Sequence, residues 1–198
     1  MWIRELFSSD DALFEALLLS LCPVDRHFRF CTHTHDESLR TYVQNFPWNT
    51  ATVFGMFDRE GKLLGAIEMV SCELDTEVAL EVDSAYKGKG IGSALMQRAL
   101  THARINRLCR IHLLCSSGNG AMLHLARKSG ITLTRQAAEV SGVVLVSEAC
   151  SSDYLAVTLY DFDAVVGAAV LAASSPLILY RNMCATLTNP GHRLLSSV

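Results

Sequence analysis

The sequence has no two cysteines spaced as Cys-x-x-Cys, although it contains seven cysteines among its 198 residues. That absence argues against zinc knuckles and thioredoxin-like redox motifs, both of which need closely spaced thiols. Several of the cysteines lie inside apolar runs, where a free thiol packs as a small hydrophobic side chain. Because the total of seven is odd and several of these thiols lie in apolar runs, we expect a reducing, cytoplasmic environment.

Positive charge and uninterrupted hydrophobic length are also scarce. Lysine and arginine number 17 against 20 aspartate and glutamate residues, a formal charge of −3, so we expect no nucleic-acid partner. The N-terminus lacks the cationic start of a signal peptide. The longest uncharged run, residues 164–180, contains glycine, serine and proline and falls short of the about 20 apolar residues that cross a bilayer. We therefore expect no membrane partner.

Common phosphate and metal motifs are missing as well. No string of the form GxxxxGK[ST] occurs, and the glycines at 88, 90 and 92 have the spacing GxGxG rather than the GxGxxG of dinucleotide-binding folds. His33 and His35 have no further ligand at useful spacing, so Asp36 is interpreted as the cap of a helix and no metal is expected.

The chain is nevertheless rich enough in apolar residues to fold, since 50% of it is hydrophobic and 19% is charged. Apolar periodicity predicts strands at residues 2–6, 52–57, 62–70, 77–83, 109–115, 131–140, 143–147 and 154–160, and helices at 10–21, 36–46, from 88–92 to 106, 119–129 and 161–173. The short links between residues 52 and 83 indicate an antiparallel meander, and the strand–helix order after it indicates parallel pairing. The predicted fold class is therefore α/β, with a mixed sheet flanked by helices.

Residues 78–100 carry the most informative pattern, a strand that runs through a glycine-rich turn into an amphipathic helix. Such a turn presents consecutive backbone N–H groups at a helix N-terminus, where the helix dipole favours an anion. The glycines allow the backbone to approach a phosphate closely, and Lys87 and Lys89 add positive charge. Taken alone, the turn fits a phosphate site and a plain helix cap equally well.

Together with residues 111–131, the turn resembles the Gcn5-related N-acetyltransferase (GNAT) superfamily. The pyrophosphate loop of that family reads Q/R-x-x-G-x-G/A, and residues 87–92 match it with lysine in the first position. Its second motif is an asparagine that opens a helix ending in a glycine–aromatic pair, which Asn119 and Gly130-Ile131 match with isoleucine as the last residue. The helix AMLHLARKSG and the segment DRHFRF at 25–30 resemble the bacterial protein-lysine acetyltransferase branch.

The resemblance implies a GNAT-like sheet whose parallel strands splay at a cleft for acetyl-CoA, the expected cosubstrate. The pyrophosphate would bind backbone N–H groups of the turn, the pantetheine amides would pair with the backbone near Val82, and Asn119 would contact the pantetheine arm. The residues implied in cofactor binding are Val82, Lys87, Gly88, Lys89, Gly90, Ile91, Gly92, Ser93 and Asn119.

An amine that attacks the thioester directly must first lose a proton, so a general base is needed. The resemblance places that base at Glu77, and Glu81, on the same face of the predicted strand, is the alternative. Acidic residues that alternate along a strand are also the usual composition of a solvated face. Many family members carry a tyrosine acid in the second-motif helix, but the corresponding residue here is Ala126, so no acid is assigned.

These features predict an N-acetyltransferase domain over residues 1–160 that moves an acetyl group to a primary amine, a protein lysine ahead of a small amine. The alternative is a non-catalytic acyl-CoA-binding sensor or an inactive GNAT subunit. Residues 161–198 are predicted to form a C-terminal helical extension and tail. Because residues 161–173 are apolar nearly all round, we expect them to be buried against the domain or a second subunit, and a homodimer through this extension is a hypothesis.

Overall fold

One mixed sheet of seven strands organises residues 1–72 and 75–187, which the computed structural model describes, with side chains described for 1–71 and 75–173. The strands are β1 (Trp2–Leu6), β2 (Ala51–Phe57), β3 (Leu63–Cys72), β4 (Asp75–Val82), β5 (Arg110–Ser116), β6 (Thr132–Gln136) and β7 (Glu139–Leu145). The helices are α1 (Asp11–Leu19), α2 (Pro23–Phe30), α3 (Asp36–Gln44), α4 (Ile91–Ile105), α5 (Gly120–Lys128) and α6 (Ser151–Leu187). In the order β1-β2-β3-β4-β5-β7-β6, β4 and β5 run parallel and the other neighbours antiparallel. The expected mixed α/β fold is confirmed.

Helices cover both faces of the sheet because its central strands carry apolar side chains on both sides. On one face α4 packs against β2, β3 and β4, where Phe54, Ile67 and Leu95 are completely buried. On the opposite face α1 and α3 pack together over a second core that contains Phe14 and Leu39. These two cores fix the position of β4 and of the helix that follows it.

Helix α2 is absent from the helices predicted above, because Pro23 directly follows the helix predicted at 10–21, and a proline in that place is typical of a helix end. The proline also occupies the first turn of α2, where a missing backbone N–H leaves no hydrogen bond unmade. Cys31 then ends α2 in the left-handed conformation, with a φ of 55°. Since α2 contacts both β4 and β5, the polar segment at 25–30 lies beside the junction of these two strands.

Three further predictions are wrong. Residues 131–140, predicted as one strand, contain β6, a turn at residues 137–138 and the start of β7, which also includes most of the strand predicted at 143–147. His35, rather than Asp36, is the N-cap of α3, and the Asp36 carboxylate instead accepts a hydrogen bond from Nη1 of Arg26 at 2.6 Å. Residues 154–160, predicted as a strand, lie inside α6. Their alternation of β-branched and aromatic residues favours a strand, but Asp153 accepts a hydrogen bond from the backbone N–H of Cys150 at 3.0 Å and so stabilises a helix start.

Helix α6 runs unbroken for 37 residues, through Gly167 and across the predicted boundary at residue 160. It packs against β1 and α4, and a Cβ added at Gly167 would overlap the Trp2 ring. An 18-residue stretch within residues 151–173 has a mean hydropathy of 1.7, and this part of α6 is, by length and composition, sufficient to cross a membrane. The sequence-based expectation that this region is too broken for such a helix is thereby corrected, while the absence of a membrane partner stays a prediction.

Candidate active site

The parallel pairing between β4 and β5 is short. It joins Asp75, Thr76 and Glu77 to residues 110–112 of β5, and there it ends. Strand β5 continues beside β7 as far as Ser116, so the two parallel strands part beyond Glu77. Within residues 1–72 and 75–187, residues 78–82 have no strand on this side, which leaves backbone N–H and C=O groups available to a ligand.

A cavity of about 700 Å³ opens where the strands part, a volume suited to a small-molecule ligand. The sequence-predicted site residues that line it are Glu77, Val82, Lys87, Gly88, Gly90, Ile91, Gly92, Ser93 and Asn119. The remaining one, Lys89, lies outside the lining, and its Nζ is 4.3 Å from the centroid of the Tyr86 ring. Residues far apart in the chain are thus brought to one cleft.

The glycine turn leaves the N-terminus of α4 uncovered. Gly88 and Gly90 have φ values of 73° and 83°, which side chains rarely adopt, and a Cβ built at either residue would meet no atom within 4 Å. Gly90 is the N-cap of α4, a helix of 15 residues. Free backbone N–H groups at such an end are suited to bind an anion, so the turn fits the pyrophosphate of acetyl-CoA.

Lys87 does not present a free ammonium group at the mouth of the cavity. It forms an ion pair with Asp25 of α2, whose carboxylate also accepts a hydrogen bond from Oγ of Ser84 at 2.7 Å. Burial opposes ionisation of Asp25, but the hydrogen bonds from Lys87 and Ser84 hold its pKa below the usual value. The pair therefore ties α2 to the turn and neutralises part of the expected positive charge.

Helix α5 forms the opposite wall of the cavity. The Asn119 side chain caps this helix, since its Oδ1 accepts a hydrogen bond from the backbone N–H of Met122 at 3.1 Å. Ala126, at the position of the family's tyrosine acid, is completely buried in the core. A proton donor at that position is therefore excluded for this chain.

The two candidate bases lie on the same face of β4 in different environments. Glu77 is exposed, at the point where β4 and β5 part. Glu81 also lines the cavity but is only 3% exposed. Its Oε2 accepts a hydrogen bond from Nε of Arg29 at 3.2 Å, and its Oε1 has no partner among the described residues. A proton acceptor open to solvent is therefore found at Glu77.

Arg29 joins Glu81 to a buried cluster that the sequence analysis missed. Its Nη2 donates hydrogen bonds to Oε1 of Glu68 at 2.6 Å and to the Tyr42 hydroxyl at 3.0 Å, and that hydroxyl donates to Oε2 of Glu68 at 2.5 Å. Burial first, and the Glu68 carboxylate second, raise the pKa of Glu81 well above its usual value. Burial alone would lower the pKa of Arg29, but Glu68 and Glu81 raise it overall. Arg29 is thus a permanent cation that links α2 and α3 to the sheet.

Comparison with known proteins identifies the architecture. Residues 22–131, more than half of the chain, match the Acetyltransferase (GNAT) family. The chain belongs to this family. Acetyl transfer is therefore the activity that this GNAT protein shares with its relatives at the family level.

Solved GNAT structures are similar in fold and distant in sequence. The GNAT domain of PAT from S. lividans has 15% identity and a TM-score of 0.62, covering 72% of this chain and 89% of that one. A mutant of the spermidine N-acetyltransferase SpeG from Vibrio cholerae has 20% identity and a TM-score of 0.56, covering 74% and 96%. The PaiA N-acetyltransferase from Thermoplasma acidophilum, in complex with coenzyme A, has 14% identity and a TM-score of 0.57, covering 73% and 99%. At such identities the similarity supports the fold.

Proposed function

We propose that this GNAT protein transfers the acetyl group of acetyl-CoA to a primary amine. One observation carries the proposal: a single cavity contains the unpaired edge of β4, the open glycine turn at the start of α4 and the exposed carboxylate of Glu77. The coenzyme A complex of PaiA and the spermidine specificity in the name of SpeG support this cosubstrate and an amine acceptor.

The chain's backbone supplies most of the cosubstrate site. The N–H groups of residues 88–93 bind the pyrophosphate, because the positive end of the α4 dipole and the missing side chains favour an anion there. The free edge of β4 near Val82 pairs with the pantetheine amides, and Asn119 borders the pantetheine arm from α5. When bound, acetyl-CoA supplies an activated thioester carbonyl.

Glu77 acts as the general base. The acceptor arrives as an ammonium ion, and the Glu77 carboxylate takes one proton so that the nitrogen gains a free electron pair. The amine nitrogen then attacks the thioester carbonyl, a C–N bond forms, the C–S bond breaks and CoA leaves as a thiolate. The nitrogen loses its second proton to solvent as the amide forms. Because Ala126 cannot donate a proton, the thiolate leaves without a side-chain acid from that position.

The acceptor side of the cleft favours a cationic amine. Glu77 lines it and forms no ion pair among the described residues, whereas the guanidinium of Arg29 is already shared between Glu81 and Glu68. Local negative charge attracts an ammonium group and disfavours an anionic acceptor. We infer that a protein lysine is the acceptor, ahead of a small amine, because the cleft is open to solvent beside Glu77.

A second candidate function is a non-catalytic acyl-CoA-binding sensor or inactive subunit. The buried Ala126 favours it, because this residue replaces the tyrosine acid of many family members. Such a protein needs the turn and the β4 edge, but it does not need the carboxylate of Glu77. The two functions therefore predict different effects of Glu77→Gln.

The test combines calorimetric titration with acetyl-CoA and an assay of CoA release. The acceptors are a lysine-rich protein and a panel of amines, and the variants are Glu77→Gln and, as a control, Glu60→Gln in the exposed β2–β3 turn. For an enzyme, we expect Glu77→Gln to keep acetyl-CoA affinity and lose about 100-fold or more in turnover, the usual effect of removing a general base. The control should keep both properties.

Binding of acetyl-CoA without CoA release in the presence of any tested acceptor would support the sensor function. No binding at all would contradict both functions. Equal turnover of the two variants would remove Glu77 from the mechanism.

A further inference from the structure

Helix α6 carries two rows of side chains with the same spacing, and the protein covers one of them. The inner row is Asp153, Val157, Tyr160, Ala164, Gly167 and Leu171, all buried or half-buried. Nη1 of Arg104 donates to Oδ1 of Asp153 at 2.8 Å, and the Tyr160 ring centroid lies 5.4 Å from Cζ of Arg98. These contacts hold the inner row against the domain.

The outer row is offset by two residues, about 160° around the helix. It consists of Leu155, Leu159, Phe162, Val166, Ala169 and Ala173, all exposed. The exposed fractions of Leu155, Leu159 and Phe162 are 61%, 57% and 64%. Among the residues with described side chains, none covers this row. Helix α6 itself continues to Leu187.

The spacing of the outer row indicates what kind of surface covers it. Its members follow one another at intervals of four, three, four, three and four residues. Apolar residues at this alternation of three and four form the seam of paired helices, in which side chains of one helix fit between those of the other. The partner is therefore expected to be a helix.

A membrane fits this surface less well. Residues 151–173 contain Asp153, Asp161 and Asp163 and no basic residue, whereas helices that lie on anionic membranes carry lysine and arginine. The helix also cannot cross a bilayer while its inner row remains packed on β1 and α4.

We propose that the outer row pairs, antiparallel, with the outer row of a second copy of this chain. About a two-fold axis between Phe162 and Val166, each position meets a complementary one. Leu155 faces Ala173 of the second copy and Leu159 faces Ala169. Phe162 faces Val166 at the centre. Large side chains thus meet small ones along the whole row, as interdigitated packing requires, and one surface serves both copies.

The available area fits a reversible dimer. Five exposed side chains supply the area that the dimer would bury. Four belong to the outer row (Leu155, Leu159, Phe162 and Val166), and Val165, which is 68% exposed, lies beside it. At roughly 100 Å² for each of these side chains, the pair would bury about 1,000 Å², near the lower limit of specific interfaces. Dimers are therefore expected at about 100 μM protein and should dissociate on dilution.

One charge lies beside the seam. In the antiparallel pair the two Asp163 carboxylates come to the same flank near the two-fold axis, where they repel each other. Asp163→Asn is therefore expected to tighten the dimer several-fold. An unchanged dissociation constant would contradict the antiparallel arrangement.

The test is sedimentation velocity and light scattering of the full chain. Leu159→Glu should yield a monomer, because two buried glutamates would face alanines without counter-charges. Leu159→Glu combined with Ala169→Lys should restore the dimer, because each glutamate then faces a lysine of the other copy. Ala168→Glu, exposed on α6 but outside the outer row, is the matched control and should leave the dimer unchanged.

The readout is molar mass, so the result does not depend on the proposed function. Circular dichroism and thermal unfolding of each variant check that it is folded. A wild-type chain that is monomeric at about 100 μM would overturn the proposal, as would a dimer that Leu159→Glu leaves intact. A monomer that co-sediments with anionic vesicles would assign the row to a membrane. Failure of the double variant to recover would exclude the antiparallel register.

Discussion

Replacing Arg29 by methionine would leave the carboxylates of Glu68 and Glu81 buried without a counter-charge. The side chains of Glu68 and Glu81 are 2% and 1% exposed, and Arg29 itself is 16% exposed. Arg29 also donates the hydrogen bond to the Tyr42 hydroxyl, so three contacts disappear together. Methionine fills a similar volume, which isolates the loss of charge and hydrogen bonds from the loss of packing.

The expected loss follows from the burial of the two carboxylates. Removing one partner of a buried ion pair costs about 3–5 kcal/mol in unfolding free energy, because the remaining charge is uncompensated. Where the carboxyls are protonated, the cost falls to that of unmade hydrogen bonds, about 1–2 kcal/mol. The loss in Arg29→Met should therefore depend on pH.

The sign of that dependence can be worked out from Glu81. Its pKa is already raised in the folded protein, and removal of the guanidinium raises it further. A carboxyl with a higher pKa in the folded than in the unfolded state binds more protons when folded, so stability falls as pH rises from the unfolded value, about 4.3, through the folded one. Arg29→Met should therefore lose more stability relative to the wild type at pH 8 than at pH 5.

Urea unfolding followed by circular dichroism at both pH values measures this loss. Arg29→Lys, which keeps the charge but not the two-sided hydrogen bonding, should lose less, and adding Glu81→Gln to Arg29→Met should recover part of the stability. A loss below about 1 kcal/mol at pH 8, or one equal at both pH values, would refute the reasoning.

Other consequences concern backbone positions. Gly90→Ala and Gly130→Ala place a side chain at a φ of 83° and 75°, each with no atom within 4 Å, so both should lose about 1 kcal/mol of stability in urea unfolding. Calorimetry should show weaker acetyl-CoA binding for Gly90→Ala alone, since Gly130 does not line the cavity; equal binding would place the pyrophosphate elsewhere. Gly167→Val should push α6 away from Trp2, lower the free energy of unfolding by about 1–3 kcal/mol and change the tryptophan fluorescence. Ala168→Val, on the exposed side of α6, should change the free energy of unfolding by less than about 0.5 kcal/mol. Equal stability of these two variants would mean that α6 is not held at Gly167.

The parts of the fold that could be predicted are those that local sequence determines. Strand β1 begins and ends as predicted, and the meander follows from alternating residues and a short turn at Gly61. Residues 154–160 were misassigned because alternation over seven residues fits a strand as well as one side of a helix. Only the inner row of α6, which packs against β1, decides between the two.

The candidate site divides in the same way. The glycine turn is local, and the cavity contains it where the sequence placed it. The cluster around Arg29 is not local, because it needs the register that puts Ala66 opposite Glu81 and Glu68 opposite Ala79. Strict alternation correctly placed Glu77 and Glu81 on one face, but the difference in their burial depends on α2, which sequence analysis did not detect.

If the cleft beside the short junction of β4 and β5 binds its ligand as proposed, the lifetime of the protein depends on that ligand. Residues 78–82 carry backbone groups that a ligand can satisfy only in the folded state. A ligand at 100 times its dissociation constant therefore adds about 2.7 kcal/mol to the free energy of unfolding. Proteases degrade the unfolded fraction of a protein. A cell in which that ligand is scarce should therefore degrade this protein faster.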